Sequence, residues 1–178
     1  GAVNLVTKRP QFRQGGEIKA TYGSWSQKRI EADVQSVAGS TENVGVRLVG
    51  FYEDAESFRD TVETERFGFY PSVTWEASAD TTVTYELEYT EQKIPFDRGV
   101  VAIDGKLGHQ PIETFTGDPN GDTIDTEVVG HQIEISHKLA DEWNLLLGAG
   151  LRDTTFEGNA LENNFGGRQT LFIDPNQA

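Results

Sequence analysis

Residues Thr81 to Gly99 read TTVTYELEYTEQKIPFDRG. The first half alternates without interruption: Val83, Tyr85, Leu87 and Tyr89 against Thr84, Glu86, Glu88 and Thr90. A repeat of two is that of a β-strand, whose successive side chains point to opposite faces. This strand carries bulky apolar groups on one face and carboxylates on the other. It then meets Pro95, Phe96, Asp97, Arg98 and Gly99, where proline and glycine mark a loop.

The same repeat extends along the chain in both directions. Strands are expected over 17–25, 27–37, 44–54, 65–77, 81–90, 128–139 and 143–154. On the third, Val46, Leu48, Gly50 and Tyr52 oppose Arg47, Val49, Phe51 and Glu53. On the seventh, Trp143, Leu145, Leu147, Ala149 and Leu151 share a side. No window of similar length shows a helical repeat, so the expected class is all-β. Weak alternation at Thr170–Ile173 is a candidate start of an eighth strand.

The connections carry a second signal. SVAGSTEN (36–43), ASAD (77–80) and ADE (140–142) are short and polar, with Asp or Asn at the turn. Longer segments lie between them, at 55–64, 93–124 and from 156 onward. Up-and-down strands would gather the short turns at one end and the long loops at the other, the layout of a bacterial outer-membrane barrel. The connection Ser24–Gln27 departs from that layout, being short at the long-loop end. Trp75 and Trp143 fall at the short-turn end and Trp25 at the opposite one; indole rings favour a membrane–water boundary.

Alternation alone also fits a soluble β-sandwich, in which two apolar faces meet in a core. Two details favour the barrel. The expected strands run 9–13 residues, nearer the roughly 9–11 that span a bilayer than the usual 5–6 of soluble sheets. Their polar faces carry charges of both signs (Arg29, Glu31, Asp33, Arg47, Arg66, Glu86, Glu88, Glu134 and Arg152), which a water-filled or plugged lumen accommodates.

Composition narrows the function classes. A chain of 178 residues is long enough for one domain with a core. The absence of cysteine excludes disulfides and thiolate metal sites. A net charge of −14 and a pI near 4.5 argue against binding nucleic acid through its phosphates, which needs clustered Lys and Arg. Mean hydropathy is −0.50, and no apolar run approaches the roughly 20 residues of a membrane helix. Transmembrane strands escape that test because they alternate. The chain opens on GAVNLVTKRP without an initiator Met or a signal peptide, and reads as a piece of a longer product.

That opening resembles the end of the plug domain in TonB-dependent siderophore receptors of the Gram-negative outer membrane, matching at Gly1, Val3, Asn4, Leu5, Val6, Thr7, Lys8, Arg9 and Pro10. ATYGSW (20–25) and RLVGFYEDAESFRD (47–60) resemble the family's opening barrel strands. PSVTWEAS (71–78), IPFDRG (94–99) and GHQIEISHKL (130–139) are similar to its ferric hydroxamate, ferrichrome-type members, and RDTTFEG (152–158) continues the likeness. The resemblance covers nearly the whole chain, in the family's order.

It implies that residues 1–10 close a plug. Residues 11–178 would then begin a transmembrane antiparallel up-and-down β-barrel, about seven or eight strands of about 22 around that plug. It also implies a receptor that binds ferric-siderophore complexes and imports them with energy supplied through TonB, with outer-membrane lipid against its wall. No cofactor is implied, the ferric siderophore being cargo. A cobalamin or haem receptor of similar architecture is the nearby alternative; a soluble β-sandwich binding module is the alternative of another class. An enzyme is not expected, since HExxH, GxSxG and GxxxxGK[ST] are all absent.

The candidate ligand-binding residues are Phe96 and Arg98. Ferric hydroxamates present oxygen atoms and apolar stems, which suit a guanidinium and an aromatic ring. The structural alternative is that Pro95 and Gly99 shape the loop while Asp97 and Arg98 pair with neighbours. GDPNGDTID (117–125) offers Asp118, Asn120, Asp122 and Asp125 as oxygen ligands for Ca²⁺, against the plainer reading of a turn-rich outer loop. His131 and His137 share an apolar face about 20 Å apart, too far for one metal; with His109 they read as boundary or surface histidines. The lumenal charges are expected to meet the plug.

Overall fold

The computed structural model describes residues 2, 7–100, 106, 108, 110–121 and 123–159. His109, Asp122, most of residues 1–6 and the expected strand at 170–173 lie outside the described residues. The strands are β1 Gly15–Tyr22, β2 Lys28–Ala38, β3 Val44–Glu56, β4 Glu63–Ser78, β5 Thr81–Pro95, β6 Thr123–Ala140 and β7 Trp143–Gly158. They form one seven-stranded sheet in chain order, each strand antiparallel to the next.

The turns at 39–43, 79–80 and 141–142 gather at one end, and the connections 23–27, 57–62 and 96–122 at the other. β1 stops at Tyr22, short of the expected Trp25. Gly23 N–H bonds Gln27 O at 2.9 Å, which reverses the chain. Trp25 and Ser26 take left-handed φ values of 59° and 51° to complete that turn. β5 and β6 run further than expected: Ile94 and Pro95 pair with Ile124 and Thr123. Alternation fades there because Glu91, Gln92 and Lys93 place polar groups on both faces, yet backbone bonds carry the ladder on. Asp125 therefore faces Lys93 across the ladder and lies in a strand, not in a loop.

The burial is inverted relative to a water-soluble domain. Pro10, Val62 and Val128 are the only buried apolar side chains among the described residues, whereas Glu53, Ser72, Thr74, Thr84 and Glu86 are buried. Ile30, Leu48, Phe67, Phe69, Val73, Tyr85, Ile133 and Leu147 are exposed. By register these share one face, and the expected lumenal charges share the other. The described residues supply no second sheet to cover the apolar face, so they do not form the sandwich weighed above.

The apolar face is a belt with aromatic margins. From Phe67 to Trp75, β4 rises about 27 Å along its axis, or roughly 20 Å once tilted by about 40°, near the apolar band of a membrane barrel. At the upper margin Tyr52 donates to Glu65 (2.8 Å) and Tyr89 to Glu127 (3.2 Å). Trp75 and Trp143 mark the lower margin at the short turns. Rings inward and hydroxyls toward charge is how aromatics settle at a membrane boundary.

Candidate functional site

The upper connections build one cluster. Asp97 turns the chain after β5: its Oδ1 accepts Gly99 N–H at 2.8 Å, and Gly99 sits at φ 85°, a conformation that glycine adopts freely. The Arg98 guanidinium lies 4.8 Å from the Phe96 ring centroid, within cation–π range. Phe96 is half-buried and Arg98 exposed. The two candidate residues thus stand together as a stacked pair. The bland reading also holds for Asp97, which pairs with Arg59 at 2.7 Å.

The lower half of the inner wall holds a second cluster. Residues 7–13 cross it transversely, from β2 to β6. Lys8 Nζ meets Asp33 at 2.8 Å. Arg9 forks onto Glu134, at 2.6 and 3.1 Å, and reaches Glu86 at 3.4 Å. The Thr7 hydroxyl donates to Glu86. Arg47 binds Asp33 with both Nε and Nη2 at 2.8 Å, and its Nη1 donates to the Arg9 carbonyl at 3.0 Å. The Glu134 hydrogen bond raises the Arg9 guanidinium above its ordinary value, with partial burial opposing it. Gly45 admits the strap: a Cβ there would stand 2.8 Å from Pro10 Cβ and 3.5 Å from the Phe12 ring.

Above the strap, every inner-wall arginine pairs with a wall carboxylate. Arg29 reaches Glu31 and Glu53, both at 2.9 Å, and caps the Phe51 ring at 4.1 Å. Arg66 meets Glu53 at 3.6 Å and Arg152 meets Glu88 at 3.3 Å. Between strap and wall lies a hollow of about 610 Å³, lined in part by Lys8, Tyr70, Glu88, Gln132 and Arg152.

The other candidate residues lie elsewhere in the fold. The Asp118 carboxylate accepts Asn120 N–H at 2.9 Å, a local turn bond. No group of three potential metal ligands lies together among the described residues. Tyr85 hydroxyl and His131 Nδ1 are 2.7 Å apart, and Thr81 Oγ1 and His137 Nδ1 2.9 Å. Each histidine on the apolar face thus shares a hydrogen bond at Nδ1 with a neighbouring hydroxyl.

No family model matches the chain. It is 32% identical over 163 residues to the metal-pseudopaline receptor of Pseudomonas aeruginosa, spanning 92% of this chain and 23% of that protein. It is 28% identical over 155 residues to the ferrioxamine B receptor of Salmonella typhimurium, spanning 82% and 21%. The chain belongs to the TonB-dependent siderophore receptor family. The ferripyoverdine receptor of the outer membrane of Pseudomonas aeruginosa shares the fold, with a TM-score of 0.77 at 19% identity over 86% of this chain and 21% of that one. The chain thus spans about a quarter of the length of the siderophore receptors it matches.

Within that family frame, two features escaped the sequence. The acceptors of Arg9 lie 77 and 125 residues away, so nothing local marks Glu86 and Glu134 as its partners. The likeness of RLVGFYEDAESFRD to the family names no partner for Arg59, and only the loop packing reveals its contact with Asp97. Of the lumenal charges, Asp33, Arg47, Glu86 and Glu134 contact residues 7–9.

Proposed function

We propose that this chain supplies the end of the plug (residues 1–10) and the first part of the barrel wall (residues 11–178) of an outer-membrane receptor. That receptor binds ferric-siderophore complexes and imports them with energy delivered through TonB. The observation that carries this reading is the inverted wall, apolar outside and charged inside, already gripped by Lys8 and Arg9. Lipid meets the belt from Phe67 to Trp75. The rest of the plug fills the hollow beside the strap, and the TonB contact lies in another part of the protein. Many ion pairs and few apolar contacts across the strap suit a seam that must hold and yet rearrange.

The cargo reaches the upper cluster first. The paired Arg98 guanidinium and Phe96 ring suit a ferric hydroxamate, whose ligand oxygens accept hydrogen bonds and whose stems are apolar. The test is a titration of the complete receptor in detergent with ferrioxamine B, a metal–pseudopaline complex, haem and cobalamin, followed by tryptophan quenching. Saturable sub-micromolar binding of ferrioxamine B supports the reading. Binding of metal–pseudopaline alone moves the cargo class within the same mechanism, and binding of haem or cobalamin alone overturns it.

A further inference from the structure

The loop 57–62 between β3 and β4 turns on itself: the Arg59 amide donates to Ser57 Oγ at 3.2 Å, and Val62 packs beneath, buried. The Arg59 side chain does not enter solvent, being only 10% exposed. Its Nε meets Asp97 Oδ2 at 2.7 Å and its Nη1 donates to the Thr114 carbonyl at 2.6 Å. Next to it, Asp60 N–H donates to the Glu113 carbonyl at 2.7 Å. Thr116 Oγ1 donates to the Gly99 carbonyl at 3.2 Å, closing the circuit. One guanidinium thereby joins three separate segments of the chain.

We propose that Arg59 is a positioning residue for the cargo site. It clamps the 57–62 loop, the 96–99 turn and the 113–116 segment into one body, so that Phe96 and Arg98 stand ready before cargo arrives. The inference rests on the receptor reading above. A buried guanidinium is costly to leave unpaired, so Asp97 and the Thr114 carbonyl are held where they are. Asp97 in turn fixes Gly99 through its second oxygen, and the Phe96–Arg98 pair lies within that turn. Without the clamp, the cost of ordering the turn falls on ligand binding. Arg59 itself need touch no cargo.

The test uses the complete receptor and, as probe, whichever of ferrioxamine B and metal–pseudopaline the wild type binds. Arg59→Ala is expected to weaken binding roughly tenfold, the scale of losing a pre-organised loop. Exchange of the Asp60 amide should quicken while ladder amides of β3 to β5 stay protected. Arg59→Lys keeps a charge for Asp97 but lacks the fork to Thr114, and should recover part of the loss. Because Arg59 acts through the turn, Arg59→Ala combined with Phe96→Ala should cost less than the product of the two single losses. Should Arg59→Ala fail to fold, Asp97→Asn weakens the same pair and takes its place. Wild-type affinity in the variant, or losses that simply multiply, would overturn the inference and leave the receptor reading standing. A wild type that binds neither probe would defeat the receptor reading, and Arg59 would then be a loop staple without a cargo role.

Discussion

The guanidinium of Arg9 forks onto the carboxylate of Glu134, 2.6 Å from one oxygen and 3.1 Å from the other, across 125 residues of sequence. A planar donor pair matched to a planar acceptor pair fixes orientation as well as distance. With Arg47 holding the Arg9 carbonyl from β3, the strap is tied to both halves of the wall.

Arg9→Ala should loosen the strap by about 1–2 kcal/mol, because it leaves Glu86 and Glu134 facing each other without their cation. Half-exposure of Arg9 keeps the figure modest. In the complete receptor, amides of residues 7–13 should exchange faster while the strand ladders keep their protection. A double-mutant cycle with Glu134→Gln should show the two sites coupled. Independent effects would mean that the pair does not hold the strap.

Gly45→Ala tests the close approach of Pro10. The new methyl would stand 2.8 Å from a ring carbon that has no rotamer to escape into. The expected cost is about 1–3 kcal/mol, as for other overpacked contacts. Exchange should rise at residues 11–13 ahead of β3. Unchanged protection of the strap would show that the wall gives way more easily than this geometry implies.

Ile133→Arg places a charge on the outer belt, within reach of Val83, Tyr85 and Leu147 on neighbouring strands. In lipid vesicles it should destabilise the barrel by about 2–4 kcal/mol if the site lies near the midplane. Glu134→Gln, one residue on and facing inward, should instead act on the strap. A neutral Ile133→Arg in vesicle unfolding would contradict a lipid-facing belt.

Arg98→Ala should weaken binding of the ferric siderophore roughly tenfold, the loss of one charge-assisted contact. Barrel stability should not change, since Arg98 is exposed above the sheet. Unchanged affinity would return IPFDRG to a purely architectural role.

The strand count and the facing of each side chain were legible because a period of two is written residue by residue: Tyr85 out and Glu86 in follows from adjacency alone. The ends were less legible. After Thr90, Glu91, Gln92 and Lys93 place polar groups on both faces, so the pattern stops while the backbone ladder continues. The short connection expected at Ser24–Gln27 starts earlier, β1 ending at Tyr22, because Trp25 and Ser26 adopt left-handed backbone that their side chains do not advertise. Of the candidate site, IPFDRG could be quoted but its Arg59 partner could not, since no pattern links residues 59 and 97.

By itself, then, the sequence determined the sheet's two-sidedness, its hairpin order and the family likeness, because those depend on neighbours along the chain and on short motifs. The tertiary structure added how the two faces are covered: one sheet, with no second layer over its apolar face among the described residues and with its carboxylates turned inward around Lys8 and Arg9. The partners of Arg9 and Arg59 were likewise decided only in three dimensions. Ion pairs follow distance in space, and folding sets that distance through strand register, which no single strand encodes.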